Sequence, residues 1–263
     1  MKTKLVRYTS LIIPFVLIVF GALYLQKDSV TKIYYTNSFI DNLYFLVLFL
    51  VIPSILAPIT EEIIFRGFLT YKKNQYIASI SFISIAVEIL VYIYSQVNTL
   101  LNLPYAVGNI LTVKLGFLPQ IINIIIFGVP GLFVILAAIL VMKILPKRLT
   151  SKISKIKNKL TLSVLFIISN LIFVIGHSLS YNNLFLFLYF FIFGLYLSYI
   201  AYYFSLRMSI LIHSLLNLII SWWVPSIFIY ISNSYFVTTV YVAFIIMVIL
   251  SIKIELNKLA LEC

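Results

Sequence analysis

The stretch LFLFLYFFIFGLYLSYIAYYF, residues 184–204, contains no charged side chain, and similar apolar runs follow one another along the chain. Hydrophobic residues make up 63% of the 263 residues and charged residues 10%, so no polar stretch is long enough to build a water-soluble domain. A helix needs roughly 20 apolar residues to cross a bilayer. The runs lack the alternating pattern of an outer-membrane β-barrel. The sequence therefore predicts an all-α fold, a polytopic membrane helix bundle.

We expect about eight transmembrane helices of this length in one integral-membrane domain that covers residues 1–263. The first apolar run has no small-x-small cleavage site before Gln26, so we expect a retained span and not a signal peptide. A helical stretch at 58–73 either continues the second span or follows a kink. The predicted spans are 8–25, 40–57, 76–101, 118–145, 161–181, 184–204, 208–223 and 235–252.

The formal net charge of +12 is concentrated between the apolar runs. Placing the N-terminus in the cytoplasm collects most lysines and arginines on that side, as the positive-inside rule requires. We therefore expect both termini in the cytoplasm of a bacterial cell, membrane lipid as a partner, and no nucleic acid. The most basic segment, a predicted cytoplasmic loop at about 146–159, fits an amphipathic helix on the anionic leaflet and a solvated loop equally well.

Two adjacent carboxylates and an arginine stand inside this apolar chain, in the sequence EEIIFRG at 61–67. Charged groups at bilayer depth are costly and are candidates for a functional site. Glu62 and Arg66 are four positions apart and share one helical face, whereas Glu61 is turned by about 100°. One carboxylate can therefore pair with Arg66 while the other serves as a base. The alternative is an ion pair that only holds helices together.

The only two histidines of the chain, His177 and His213, also lie in apolar spans. Asn217 follows His213 by four positions and shares its helical face. A lone histidine on an apolar face is more often a core residue than a catalyst. Two of them, beside Glu61 and Glu62, favour a functional role.

These residues resemble the three motifs of the CPBP family of intramembrane proteases, which includes the CAAX proteases and the bacteriocin-processing, or Abi, proteins. The motifs are EEIIFRG, Phe-x-x-x-His at 173–177 and His-x-x-x-Asn at 213–217, in this order and each in an apolar helix. The resemblance covers a motif-bearing core at about 58–73 and 161–223.

The resemblance implies a role for each matched residue. Glu61 and His177 would activate the attacking water, with Glu62 and Arg66 in support. His213 and Asn217 would stabilise the oxyanion of the tetrahedral intermediate, as imidazole and amide N–H groups can in a dry site.

The metal dependence is open at this stage, because the family is often described as metalloproteases. We favour a metal-free glutamate mechanism with no cofactor. A Zn²⁺ site formed by His177, His213 and Glu61 is the alternative, since two histidines and a carboxylate are a known catalytic set. The histidines do not form an H-E-x-x-H pair, and the only cysteine is the terminal Cys263.

The expected function is that of an endopeptidase acting on a small membrane-associated peptide or a lipidated protein. One alternative is a non-catalytic bacteriocin immunity protein. Another is a proton-coupled transporter that uses Glu61, Glu62 and Glu88 as a relay. An inactivating change at Glu61 or His177 would separate these alternatives.

One departure from the family pattern concerns spacing, since His177 follows Glu61 by 116 positions. The additional length holds two predicted spans and the basic loop. An even number of inserted spans preserves the relative direction of the motif helices. We therefore still expect the four residues of the water and oxyanion sites to meet at a cavity that opens toward the cytoplasm.

Overall fold

The computed structural model describes residues 2–26, 42–43, 46–70, 73–100, 130–144, 159–178, 184–222 and 234–261, and every regular element in these ranges is helical. This confirms the predicted all-α class. The elements are α1 (Lys2–Gln26), a π-helix (Val47–Leu56), α2 (Ala57–Arg66), a 3₁₀ turn (Gly67–Thr70), α3 (Gln75–Leu100), α4 (Pro130–Ile144), α5 (Lys159–Ser178), α6 (Leu184–Tyr203), α7 (Leu206–Trp222) and α8 (Tyr235–Leu261).

Two helices among the described residues are long and apolar enough to cross a membrane, Leu184–Tyr203 and Tyr235–Leu259. Five further apolar helical segments are shorter: Thr9–Ala22, Gln75–Leu90, Gly131–Ile144, Ser163–Ile175 and Leu206–Ile220. The helical class is therefore confirmed, whereas the eight complete spans stay a prediction.

The described helices differ from the predicted ones in several places, and the first begins at Lys2 and not at residue 8. The last helix continues to Leu261 because Ile252 and Glu255, at and beyond its predicted end, are still buried. The predicted second span is π-helical over Val47–Leu56, a register that apolar patterning does not signal. The acidic motif helix ends at Arg66 and closes with a 3₁₀ turn. The basic loop at 146–159 lies outside the described residues except for Lys159, which begins α5.

Three helices begin at a polar side chain that accepts a backbone N–H of the first turn, which is the usual N-cap arrangement. Asn74 Oδ1 accepts the Ile77 N–H at 3.1 Å at the start of α3. The other two caps are Ser205 Oγ with the Met208 N–H at 3.0 Å for α7, and Ser234 Oγ with the Val237 N–H at 3.4 Å for α8.

The chain forms two compact units, one comprising residues up to Ile59 and from Phe173 onward, the other residues 60–172. We call them the outer-sequence unit and the middle unit. The predicted single domain is not tested by this division.

In the outer-sequence unit, hydroxyl groups tie helices together. Tyr196 Oη donates to the Leu11 carbonyl at 2.6 Å and so joins α6 to α1. Ser209 Oγ donates to the Leu197 carbonyl at 2.9 Å, which joins α7 to α6. The Ser205 hydroxyl that caps α7 also donates to the buried Glu255 carboxylate of α8 at 2.9 Å. These bonds fix the helix that carries His213 and Asn217 against its neighbours in this unit.

Candidate active site

The acidic motif on α2 contains a fully buried ion pair. Arg66 Nη1 lies 3.2 Å from Glu62 Oε1, and neither side chain has any exposed surface. The four-residue spacing thus gives the pair that the sequence predicts. Burying two charges is tolerated only when they compensate each other, so each side chain of this pair stabilises the other's charged form.

Glu61 is partly exposed, in contrast to Glu62 beside it. It interacts electrostatically with Glu88 of α3 and with Arg66. We call Glu61, Glu62, Arg66 and Glu88 the acidic half of the candidate site. The predicted separation of roles fits this arrangement, because Glu62 is committed to Arg66 and Glu61 is the more accessible carboxylate.

Two serines hold the backbone of the motif helix within the middle unit. Ser81 Oγ of α3 donates to the Ile64 carbonyl at 2.6 Å. Ser169 Oγ of α5 donates to the Phe65 carbonyl. Neither serine is singled out by the sequence, because each is one of several hydroxyl-bearing residues in its helix. Both bonds fix the turn between Glu62 and Arg66 from outside the helix.

Two glycines bring the motif helix close to its neighbours. A Cβ at Gly67 would lie 3.0 Å from the Ser81 Cβ, and one at Gly131 of α4 would lie 3.1 Å from the Thr60 Cβ. The described parts of the inserted region, α3 and α4, therefore pack against the motif helix. The additional length between the first two motifs is part of the support for the acidic residues in this unit.

The two histidines lie in one aromatic cluster, Phe173, Phe190 and Phe193, within the outer-sequence unit. The His177 ring centroid is 4.4 Å from that of Phe173 and 4.9 Å from that of Phe190. The His213 centroid is 5.1 Å from that of Phe193 and 6.4 Å from that of Phe173. Phe173 thus packs near both histidines. We call the two histidines and Asn217 the histidine half.

A backbone contact fixes the orientation of the His177 ring. His177 Nδ1 donates to the Phe173 carbonyl at 2.8 Å, since a carbonyl oxygen only accepts. In the neutral ring the basic nitrogen is then Nε2. In this tautomer Nδ1 carries the proton and Nε2 is unprotonated. A histidine that activates water or binds a metal through Nε2 adopts the same tautomer when a carbonyl holds Nδ1.

Asn217 is half-buried on α7, and its side-chain Nδ2 donates to the Pro53 carbonyl of the π-helix at 2.6 Å. The sequence predicts that Asn217 shares the face of His213. It gives no indication of the contact with Pro53, which lies 164 positions away.

The structure therefore assembles each half of the predicted site within its own unit. Glu62 contacts Arg66 in the middle unit, and His177 and His213 share aromatic neighbours in the outer-sequence unit. The approach of Glu61 to the histidines stays a prediction.

Within the described ranges, no three histidine, cysteine, aspartate or glutamate side chains are grouped so that they could hold a metal ion. The zinc alternative stays an untested prediction.

An apolar cavity of about 400 Å³ lies between α1 and α6 in the outer-sequence unit. Gly21 lets α1 approach α6 closely beside the cavity, because a Cβ there would lie 3.1 Å from the Tyr189 ring. The Tyr189 ring is 5.3 Å from Phe190, which in turn contacts His177. Two aromatic rings, Tyr189 in the cavity wall and Phe190 behind it, therefore connect this cavity to a candidate catalytic histidine. The lining residues are Pro14, Leu17, Ile18, Gly21, Phe185, Leu188, Tyr189 and Ile192.

Comparison with known proteins gives a family and no individual relative. The family model for type II CAAX prenyl endopeptidases, Rce1-like, matches residues 43–219, a range that contains all six predicted site residues. No curated protein and no solved structure matches the chain. The matched range is well over half of the 263 residues and confirms the resemblance that the three motifs indicate. The chain belongs to the Rce1-like family of type II CAAX prenyl endopeptidases.

Proposed function

We propose that the protein is an intramembrane endopeptidase that cleaves a peptide bond near the C-terminus of a prenylated, membrane-associated substrate. The observation that carries this proposal is the family match over residues 43–219, which encloses both halves of the candidate site. The buried Glu62–Arg66 pair and the carbonyl-bound His177 support it, because both are arrangements that a catalytic site needs and a lipid-facing helix does not.

In this proposal Glu61 takes a proton from a water molecule while the Nε2 atom of His177 orients that water. The water oxygen then bonds to the carbonyl carbon of the substrate, and the carbonyl oxygen becomes an oxyanion. N–H groups of His213 and Asn217 stabilise this charge. When the C–N bond breaks, Glu61 returns its proton to the leaving amine. The mechanism as proposed uses no metal, with Zn²⁺ held by the histidines and Glu61 as the alternative.

We also propose that the chain crosses a bacterial cell membrane about eight times with both termini in the cytoplasm, which the distribution of lysine and arginine supports.

The cavity between α1 and α6 would take the hydrocarbon chain of the substrate. Its apolar lining and the ring contacts that lead from it through Tyr189 and Phe190 to His177 support this assignment.

A proton-coupled transporter is the second candidate, favoured by the interaction between Glu61 and Glu88. It predicts uptake into vesicles that depends on a pH gradient. Glu88→Gln should abolish that uptake, whereas the proposed peptide hydrolysis needs no pH gradient across the vesicle.

The test uses the full chain in lipid vesicles with a fluorogenic peptide that ends in a farnesylated CAAX sequence. Glu61→Gln should lower kcat by about 10²–10⁴-fold, as removal of a general base does. Ser251→Ala, a change at an exposed position of α8, is the matched control. Hydrolysis that survives Glu61→Gln would contradict the proposal. Activity that is lost in a chelator and restored by Zn²⁺ would select the zinc alternative.

A further inference from the structure

The π-helix before the acidic motif contains one proline, Pro53, and a second one, Pro58, follows it five positions later. The Ala57 N–H donates to the Ile52 carbonyl, which is a bond to the residue five positions earlier. In an α-helix this N–H would instead serve the Pro53 carbonyl. The π register therefore takes the α-helical donor away from Pro53.

The donor for the Pro53 carbonyl in a π register would be the N–H of residue 58. That residue is proline, which has no N–H. At this partly buried position a carbonyl without a donor costs free energy, so a side chain that replaces the missing backbone group stabilises the helix. Asn217 Nδ2 does so at 2.6 Å. The spacing of the two prolines thus leaves an acceptor that is served by a donor from outside its own helix.

The same bond decides which end of the Asn217 amide faces the π-helix. Because a carbonyl oxygen only accepts, Nδ2 and not Oδ1 lies against Pro53. One N–H is used there, and the second N–H of the same nitrogen keeps a fixed direction. An amide that stabilises an oxyanion must present an N–H and not its oxygen.

We infer that the Pro53 carbonyl, exposed by the Pro53–Pro58 spacing, is the positioning group that fixes the orientation of Asn217 for oxyanion stabilisation. The role of Asn217 in oxyanion stabilisation rests on the proposed function. The hydrogen bond between Asn217 and the Pro53 carbonyl does not depend on it. π-Helical turns are found frequently at functional sites, where they redirect a backbone group.

The decisive variant is Pro58→Ala, because it supplies the missing N–H while leaving Asn217 in place. The new N–H serves the Pro53 carbonyl, so Asn217 loses its fixed orientation. We expect kcat for the farnesylated peptide to fall by about 10–10²-fold, somewhat less than for removal of an oxyanion donor, with KM unchanged. Pro130→Ala is the matched control, since Pro130 is the first residue of α4, where a backbone N–H has no helical partner.

A thermal double-mutant cycle tests the contact without any need for activity. Asn217→Ala should lower the thermal midpoint of the full chain in detergent by a few degrees. In the Pro58→Ala background the same change should lower it much less, since the backbone N–H gained at position 58 then serves the Pro53 carbonyl.

Each outcome of these measurements decides the inference. Coupled thermal effects together with a selective loss of kcat in Pro58→Ala support it. Additive thermal effects overturn it, because Asn217 and Pro53 then do not interact. Coupled thermal effects with an unchanged kcat also overturn it, since the contact is then only structural. A wild-type protein that cleaves no prenylated peptide but shows thermal coupling would refute the proposed function and retain the contact.

Discussion

The acidic half and the histidine half of the candidate site are held by different physical means. In the acidic half, full charges are buried, and Glu62 and Arg66 compensate each other at 3.2 Å with no exposed surface. In the histidine half, rings and an amide are held by aromatic contacts and by the carbonyls of Phe173 and Pro53. A buried ion pair depends on both of its charges, whereas a ring or an amide is held by packing and by directed hydrogen bonds. The two halves should therefore respond differently to substitution.

The largest effect should come from breaking the ion pair. Arg66→Ala leaves the Glu62 carboxylate buried without its partner and should cost about 3–5 kcal/mol of unfolding free energy. Arg207→Ala is the matched control. Arg207 is 69% exposed and lies 3.9 Å from Glu255, so its loss should cost about 1 kcal/mol or less. Denaturant unfolding in mixed micelles measures both values, and equal losses would contradict the comparison.

A smaller loss of stability is expected when the histidine half is made apolar. His213 is 2% exposed and packs edge-on against Phe193. His213→Leu places an apolar side chain of similar volume in the aromatic cluster, so it should cost about 1.5 kcal/mol or less. Hydrolysis of the farnesylated peptide should nevertheless be lost. Unfolding and activity measured on the same preparation separate the two effects, and a stability loss as large as that of Arg66→Ala would remove the contrast between the halves.

The smallest effect should come from the serine that supports the motif helix. Ser81→Ala removes the hydroxyl that donates to the Ile64 carbonyl and should cost about 1 kcal/mol. Ser251→Ala removes a hydroxyl that donates to a carbonyl of its own helix at an exposed position and should cost less. Unfolding curves of the two variants check this order, and the reverse order would mean that α3 does not support the acidic half.

The parts of the site that local spacing determines were predictable from the sequence. Glu62 with Arg66, and His213 with Asn217, follow from four-residue spacing on a helix. The all-α class follows from the apolar runs. The partners from distant segments were not predictable, because apolar patterning indicates which face is buried and not which helix covers it. Ser169 against Phe65 and Asn217 against Pro53 are such cases, at 104 and 164 positions of separation.

The contacts that the inserted region makes with the motif helix also could not be predicted from the spacing of the motifs. Its length looked like a departure from the family pattern. In the structure, α3 supplies Ser81, and α4 supplies the glycine that lies against Thr60. The π register is a different case. The Pro53–Pro58 spacing is visible in the sequence, but its effect depends on a donor from another helix.

The Ser205 hydroxyl gives the C-terminal region an influence on chemistry far from it. Ser205 Oγ accepts a hydrogen bond from the Met208 N–H and donates one to the Glu255 carboxylate. Because the hydroxyl proton is held by Glu255, a lone pair of Ser205 Oγ stays directed toward the first turn of α7. A chain that ended before residue 255 would lose this proton acceptor. The first turn of the helix that carries His213 and Asn217 would then fray more easily. A truncation that removes Glu255 should therefore lower the activity, whereas insertion into the membrane should be affected only by longer truncations of the last helix.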